Sequence, residues 1–121
     1  MGFFSAFQTV AESKELHTDP TLRSRYYKTN YAKTKAVILE YAKNEGIDVR
    51  SIDDEHRELF LQGGRFHIIV SIVQVNPIET SVDFKVEVYG IIGFNRPKKM
   101  IHSMYKYLDE NLSFKGVALH P

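Results

Sequence analysis

The residues best suited to chemistry lie where a glycine-containing segment leads into a predicted helix. Arg96, Lys98 and Lys99 follow Gly93, and Asn95 is placed to cap the helix. Free N–H groups and the helix dipole favour an anion at such a position, and three cations add to that attraction. The competing interpretation is a set of ordinary solvated basic side chains. The candidate anion-binding residues are Gly93, Asn95, Arg96, Lys98 and Lys99.

No set of histidines or nucleophiles matches a catalytic motif. The five histidines are scattered, and none belongs to an HExxH pair that could hold a metal. His56 ends an acidic turn, for which a solvated turn is the favoured interpretation over a weak cation site. The sequence has no G-x-S-x-G elbow. We therefore predict no catalytic residues, no metal ligands and no cofactor, and an enzyme ranks third among the functions considered.

A second basic group mixes cations with aromatic rings, as nucleic-acid surfaces do. Its cations are Arg23, Arg25, Lys28, Lys33 and Lys35, and Tyr26, Tyr27 and Tyr31 lie among them. The same mixture is typical of the start of an amphipathic helix. The chain has 16 basic and 15 acidic residues and a net charge of +1. Because this balance does not suit a dedicated nucleic-acid binder, we do not expect nucleic acid as a partner.

A long antiparallel hairpin over residues 65–89 organises the rest of the chain. In its second arm, Val82, Phe84, Val86 and Val88 alternate with polar residues. A period of two with β-branched residues is typical of a half-buried strand. The sequence NPIE supplies the turn between the arms, because Asn and Pro both suit turn geometry.

The side of this hairpin that faces away from the predicted core is called the outer face here. Its first arm contributes His67, Ile69, Ser71, Val73 and Val75, and its second arm contributes Ser81, Asp83, Lys85, Glu87 and Tyr89. This face is too apolar for free solvent along its whole length and too charged for a second core. Such mixed surfaces suit protein contact.

Two helices and two more strands surround the hairpin. Residues 31–44 predict a helix that Gly46 ends, and residues 96–111 predict a second helix. The patterns of residues 47–53 and 58–62 predict strands. Residues 21–28 are interpreted as an extended segment, with Tyr26 and Tyr27 as β-formers, and the residues from Phe114 onward are interpreted as a tail. Phe3, Phe7 and Val10 recur at helical spacing, so residues 3–14 predict a short amphipathic helix.

The expected fold is therefore α+β, with a four-stranded antiparallel meander sheet, two helices packed on one face and the short N-terminal helix. Residues 1–20 form an N-terminal segment and loop, and residues 21–121 form a single domain. On the first helix, the predicted inner face comprises Ala32, Ala36, Leu39 and Ala42 and is widened by Val37, Ile38 and Tyr41. The predicted core comprises Leu39, Ile68, Val70, Phe84, Val86, Val88, Ile101 and Leu108.

The composition bears on the cellular location of the protein and on the bonds and metal sites that it can form. The chain has no cysteine, which excludes disulfides and thiolate metal sites and fits a cytoplasmic location. No apolar run is long enough for a transmembrane span, and the N-terminal residues lack the features of a signal peptide. We expect a soluble, unprocessed protein.

The order of elements resembles small helix-grip or TBP-like domains, including uncharacterised bacterial ones. The residues behind this resemblance are Tyr26 and Tyr27 before a helix, the sequence SID at residues 51–53, and the glycine-broken segment 90–94. The resemblance implies a meander sheet that wraps a long C-terminal helix. Such folds serve lipid binding, assembly and scaffolding alike, so it implies no functional residues.

Two functions remain from this reasoning. The first is a non-catalytic binding or assembly module that associates with itself, because Phe3, Phe4 and Phe7 and the outer face exceed what two helices can cover. The alternative to self-association is that the N-terminal segment folds back over the outer face of its own chain. The second is a protein with an apolar ligand pocket between the sheet and the last helix. The candidate interface residues are Phe3, Phe4, Phe7, Ile69, Val73, Val75 and Tyr89. The partner is a second copy or another protein.

Overall fold

The computed structural model describes residues 9–90 and 95–120. It confirms the α+β class. The strands are β1 (Val10–Glu12), β2 (Arg25–Tyr27), β3 (Asp48–Asp53), β4 (Glu58–Gln62), β5 (Phe66–Asn76), β6 (Glu79–Val88) and β7 (Phe114–Val117). The helices are α1 (Tyr31–Asn44) and α2 (Arg96–Asn111), and a 3₁₀ turn covers Pro20–Leu22.

Strands β3 to β6 form the predicted antiparallel meander. Each pairs with its neighbour in sequence, and in the central hairpin Ile68 lies opposite Val86 and Val70 opposite Phe84. These four side chains are buried, so the alternation along β5 and β6 has the predicted phase. The long alternating arms fix this register, because a slip by one residue would move every apolar side chain to the other face.

The prediction of four strands is wrong, because the sheet has seven strands within the described residues. The strand order is β3-β4-β5-β6-β2-β7, and β1 also pairs with β6. β1 and β2 share one edge of β6, where Ala11 lies opposite Val86 and Tyr26 opposite Ser81. An unpaired edge leaves a row of backbone donors and acceptors open, and these short strands satisfy it.

The predicted N-terminal helix is wrong over Val10–Glu12, which form β1. Phe3 and Phe7, the other two residues whose helical spacing suggested this helix, lie outside the described residues. The predicted tail is also wrong, because Phe114–Val117 form β7 against β2. Strands of three or four residues are too short to show an alternating pattern, so backbone pairing with β6 and β2 decides these segments.

Helix α1 has the predicted bounds, and Asn30 caps it by accepting a 2.9 Å hydrogen bond from the Lys33 N–H. Its buried side chains are Thr34, Ile38 and Ala42, whereas the predicted inner residues Ala32 and Ala36 are exposed. Burying Ile38 removes more apolar area from water than burying an alanine, which explains the rotation of the helix.

The core lies between one face of the sheet and the two helices. The predicted core residues are buried except Leu39, which is partly buried because α1 turns Ile38 inward instead. Tyr27, Leu59, Leu61 and Tyr105 join this core. Ala11 and Leu22 belong to it as well, so residues near the N-terminus share the core of the rest of the chain.

Candidate binding surface

An aromatic cluster occupies one end of the outer face. His67 stacks on Phe60 with ring centroids 5.4 Å apart and an interplanar angle of 24°. On its other side, the His67 ring lies 5.6 Å from the Tyr89 ring, and its Nδ1 atom hydrogen bonds to the Tyr89 hydroxyl. β4, β5 and β6 each contribute to this cluster, so the sheet holds the three rings in fixed positions.

Apolar side chains extend the cluster along β5. The exposed fraction is 55% for Val73 and 44% for Tyr89, while Ile69 is partly buried. Val75, with an exposed fraction of 37%, lies where the β5–β6 register shifts. The structure thus places Ile69, Val73 and Tyr89 on one surface. The candidate interface residues Phe3, Phe4 and Phe7 lie outside the described residues.

Charges of both signs border this apolar strip. In the sheet register Lys85 lies opposite Ile69, and Glu87 lies opposite His67. Neither Lys85 nor Glu87 forms an ion pair with any residue that the structure describes. The apolar strip therefore lies next to Lys85 and Glu87, neither of which is ion-paired within the described chain.

On the outer side of the sheet, residues from other parts of the chain cover β2 and the start of β6. The Tyr26 ring packs on the His120 ring, and the Tyr26 hydroxyl donates to Glu15 at 2.7 Å. Glu79 is buried and pairs with Lys115 and His120, which lower the pKa of its carboxyl group. The C-terminal residues thus cover this half of the sheet, and the strip over β4 to β6 lacks such a cover among residues 9–90 and 95–120.

The residues of the predicted anion site separate around α2. Lys98 forms a 2.6 Å ion pair with Asp19, and this bond holds the pKa of Asp19 well below its usual range. Arg96 lies over the Phe66 ring, with 5.7 Å between its Cζ atom and the ring centroid. Arg96 and Lys99 line a groove of about 320 Å³ that faces the end of α1.

Asn95 adopts a left-handed conformation with φ of 52°, and its side chain makes no capping bond. Gly93 lies outside the described residues. Three converging cations are therefore not observed, while anion binding at the start of α2 stays a prediction.

A polar cluster missed by the sequence reasoning lies at the junction of β1 and β2. The Asp83 carboxylate accepts hydrogen bonds of 2.8 Å from the Ser13 and Ser24 hydroxyls. The Tyr105 hydroxyl lies 2.7 Å from Ser13 Oγ, and Ser13 Oγ also accepts the Phe84 N–H at 2.9 Å. Burial raises the pKa of Asp83 and that of Tyr105.

This cluster does not suit nucleophilic catalysis. Ser13 and Ser24 are both buried, so a substrate has no access to their hydroxyls. Ser13 Oγ donates its proton to Asp83 and accepts the Phe84 N–H from the backbone of β6. We interpret the cluster as structural. The four side chains of the cluster are spread over the sequence, so no local motif predicts it. The only signal in the sequence is a charged residue, Asp83, between Val82 and Phe84.

Between the sheet and the two helices, the apolar cavity at Phe84 is small. A cavity lined by Ile38, Tyr41, Phe84, Met104 and Leu108 measures about 10 Å³. A cavity of this volume holds about one water molecule at most. This part of the core therefore has no room for an apolar ligand in the described conformation.

The described residues contain no group of three or more His, Asp or Glu side chains that could hold a metal ion. Neither described helix is long and apolar enough to cross a membrane. Comparisons with protein-family models, curated proteins and solved structures found no match to this chain. The resemblance to helix-grip or TBP-like domains therefore stays a prediction.

Proposed function

We propose that the protein is a non-catalytic assembly module that binds a second copy of itself through the outer face. The observation that supports this most is the strip of Phe60, His67, Ile69, Val73 and Tyr89, in which Val73 and Tyr89 are exposed and the other three are partly exposed. Large apolar side chains held rigidly at a surface are typical of protein interfaces. A cytoplasmic location belongs to the same proposal, since a chain without cysteine fits it.

The outer side of β3 to β6 supplies much of the area of a dimer interface but not all of it. These strands have 6, 5, 11 and 10 residues. At about 3.3 Å per residue and about 4.8 Å per strand, their combined footprint is roughly 500 Å². A standard interface buries ~800 Å² per partner, so a stable dimer also needs contacts from outside these four strands.

The charges at this face favour a two-fold arrangement. In a two-fold dimer the same patch meets itself, so a patch with a single sign of charge would repel its copy. Lys85 and Glu87 are two residues apart on β6, so both lie on the same side of the sheet, beside the apolar strip. Each can face the opposite charge of the other copy. A patch with both signs is thus compatible with its own copy, which a patch of only lysines would not be.

The apolar-pocket alternative receives less support. It requires a cavity under α2, and the space there accommodates about one water molecule. Binding of an apolar ligand would require Phe84, Met104 or Leu108 to move out of a close-packed core.

Sedimentation equilibrium tests the proposal. The intact chain should show a concentration-dependent dimer, and Val73→Asp should shift it to monomer, because an unpaired charge would be buried in the interface. Leu16→Asp is the matched control: Leu16 is 73% exposed on a loop and should leave the dimer unchanged. A monomer at all concentrations would refute self-association. If removal of residues 2–8 then produced a dimer, the N-terminal segment would be the occupant of the outer face.

A further inference from the structure

A groove on the helix side of the sheet brings together cations from the two ends of the chain. It lies between α2 and the segment that enters β2, with a volume of about 240 Å³. Its lining residues are Thr21, Arg25, His102, Tyr105, Lys106 and Asp109. The groove is separate from the outer face, so its role is independent of self-association.

Arg25 is held in place at this groove. Its guanidinium carbon lies 5.4 Å from the Tyr105 ring centroid and 5.3 Å from that of Phe114. Its Nη1 atom donates to Asp109 at 3.1 Å. Contact with two aromatic rings and a carboxylate fixes the plane of the guanidinium group, which reduces the entropy lost when it binds a further acceptor.

The positive charge in the groove is only partly compensated. Asp109 is the sole acceptor for Arg25 among the described residues, and its other oxygen already accepts the Tyr27 hydroxyl at 2.7 Å. The Arg25 Nε–H is shut off from solvent and has no partner in the described chain. Lys106 is exposed and forms no ion pair with a described residue. The groove therefore contains one carboxylate, that of Asp109, and two permanent cations, Arg25 and Lys106.

His102 adds a titratable donor to the groove. The single proton of the Thr21 hydroxyl goes to Asp19 at 2.7 Å, so the 2.9 Å contact between His102 Nε2 and Thr21 Oγ1 requires His102 to donate from Nε2. Burial and the nearby charges of Lys98 and Arg25 lower the pKa of His102, while Asp19 opposes them. An added anion would offset these positive neighbours and favour the protonated ring.

We propose that this groove binds a small phosphoryl dianion, with Arg25 and Lys106 as its permanently charged contacts and His102 as a neighbour that the bound anion protonates. Arg25 lies on β2 and Lys106 on α2, so donors from two elements can reach different oxygens of a tetrahedral oxyanion. The groove is larger than a bare phosphate ion, so a phosphate monoester with a small organic group is the favoured ligand.

Calorimetric titration with inorganic phosphate and with phenyl phosphate tests this site, in buffers of equal ionic strength set with chloride. Lys106→Gln should weaken binding about tenfold, the loss typical of one charge-assisted hydrogen bond. Lys43→Gln makes the same charge change on an exposed part of α1 and should leave affinity unchanged. Arg25→Lys, which keeps the charge but not the planar fork, should also weaken binding.

Proton NMR of the histidine rings provides an independent readout. Binding should raise the pKa of His102, and the Lys106→Gln variant should need more ligand for the same change. Tighter binding of phenyl phosphate would identify a monoester as the ligand, and equal binding would identify free phosphate; both support the site. Absence of binding would overturn the proposal, as would equal affinities of Lys106→Gln and Lys43→Gln. If Lys99→Gln abolished binding and Lys106→Gln did not, the anion would bind at the start of α2, and the proposal for this groove would be overturned as well.

Discussion

The Tyr105 hydroxyl lies 2.6 Å from the Val82 carbonyl oxygen, at the point on one edge of β6 where the pairing with β2 ends. β1 pairs with residues 85–87 of β6 and β2 with residues 80–82, which leaves a gap at Asp83 and Phe84. Tyr105 reaches through this gap from α2, and Ser13 Oγ accepts the Phe84 N–H. Side chains thus replace the backbone partners that a continuous strand would supply.

Tyr105→Phe should therefore destabilise the protein. The change removes the hydroxyl and leaves the buried Val82 carbonyl without that donor, which costs about 1–3 kcal/mol in the free energy of unfolding. Urea denaturation measures this loss. Tyr107→Phe, on the same helix but with a surface bond to Glu40, should change stability by less than about 0.5 kcal/mol. Equal effects of the two variants would contradict the role assigned to Tyr105.

Asp83→Asn should leave the protein at least as stable as the wild type at pH 7. Burial raises the pKa of Asp83, so its ionised form is disfavoured in the folded chain relative to the unfolded one. As pH falls through the raised pKa, folded Asp83 takes up a proton first, and the wild type gains stability relative to the variant. The advantage of the variant should vanish below the unfolded pKa.

Paired urea denaturation curves of wild type and variant between pH 3.5 and 8, a range that covers ~3.9 for an unfolded Asp, measure this difference. Asp19 and Glu79 have lowered pKa values, which make stability fall as pH falls. Because both residues are present in wild type and variant, their contributions cancel in the difference between the two proteins. A variant that is less stable at pH 7 and equally so at pH 4 would contradict the prediction.

Phe84→Ala should cause a large loss of stability. Phe84 is 2% exposed, and its ring packs against Tyr105 with 5.0 Å between centroids. Truncation of a buried Phe costs about 3–5 kcal/mol, because the cavity that remains does not collapse fully. A loss below about 1 kcal/mol in chemical denaturation would be inconsistent with its central place in the core.

Gly63→Ala should destabilise the turn between β4 and β5. A Cβ atom at Gly63 would overlap the Phe66 ring, so the ring has to move, at a cost of about 1–3 kcal/mol. Gly64→Ala is the matched control, since a Cβ atom there meets nothing within 4 Å. Thermal unfolding should separate the two variants. Equal melting temperatures would mean that Phe66 adapts freely.

Sequence reasoning succeeded where the pattern is long. The arms of β5 and β6 alternate over about ten residues, and α1 has both a cap at Asn30 and a stop at Gly46, so these elements could be predicted with their bounds. β1, β2 and β7 have three or four residues each, and long-range pairing rather than local preference forms them. The same reason explains why residues 10–12 were predicted as a helix.

The surfaces were predictable to different degrees. Phe60 could have been assigned to the outer face, because Leu59 and Leu61 on either side of it point into the core. The groove at Arg25 and His102 could not, since its residues are about 80 positions apart and meet only when β2 inserts between β6 and β7.

The position of β2 also has a consequence during protein synthesis. β2 lies between β6 and β7, and its residue Tyr26 pairs with Gly116, about 90 residues later in the chain. At ~5–20 residues per second, a ribosome needs roughly 5 to 20 s to make that stretch. During this interval the meander of β3 to β6 can already form, whereas β2 still lacks one neighbour. The nascent chain should therefore remain sensitive to proteases and chaperones at β2 until β7 has left the ribosome.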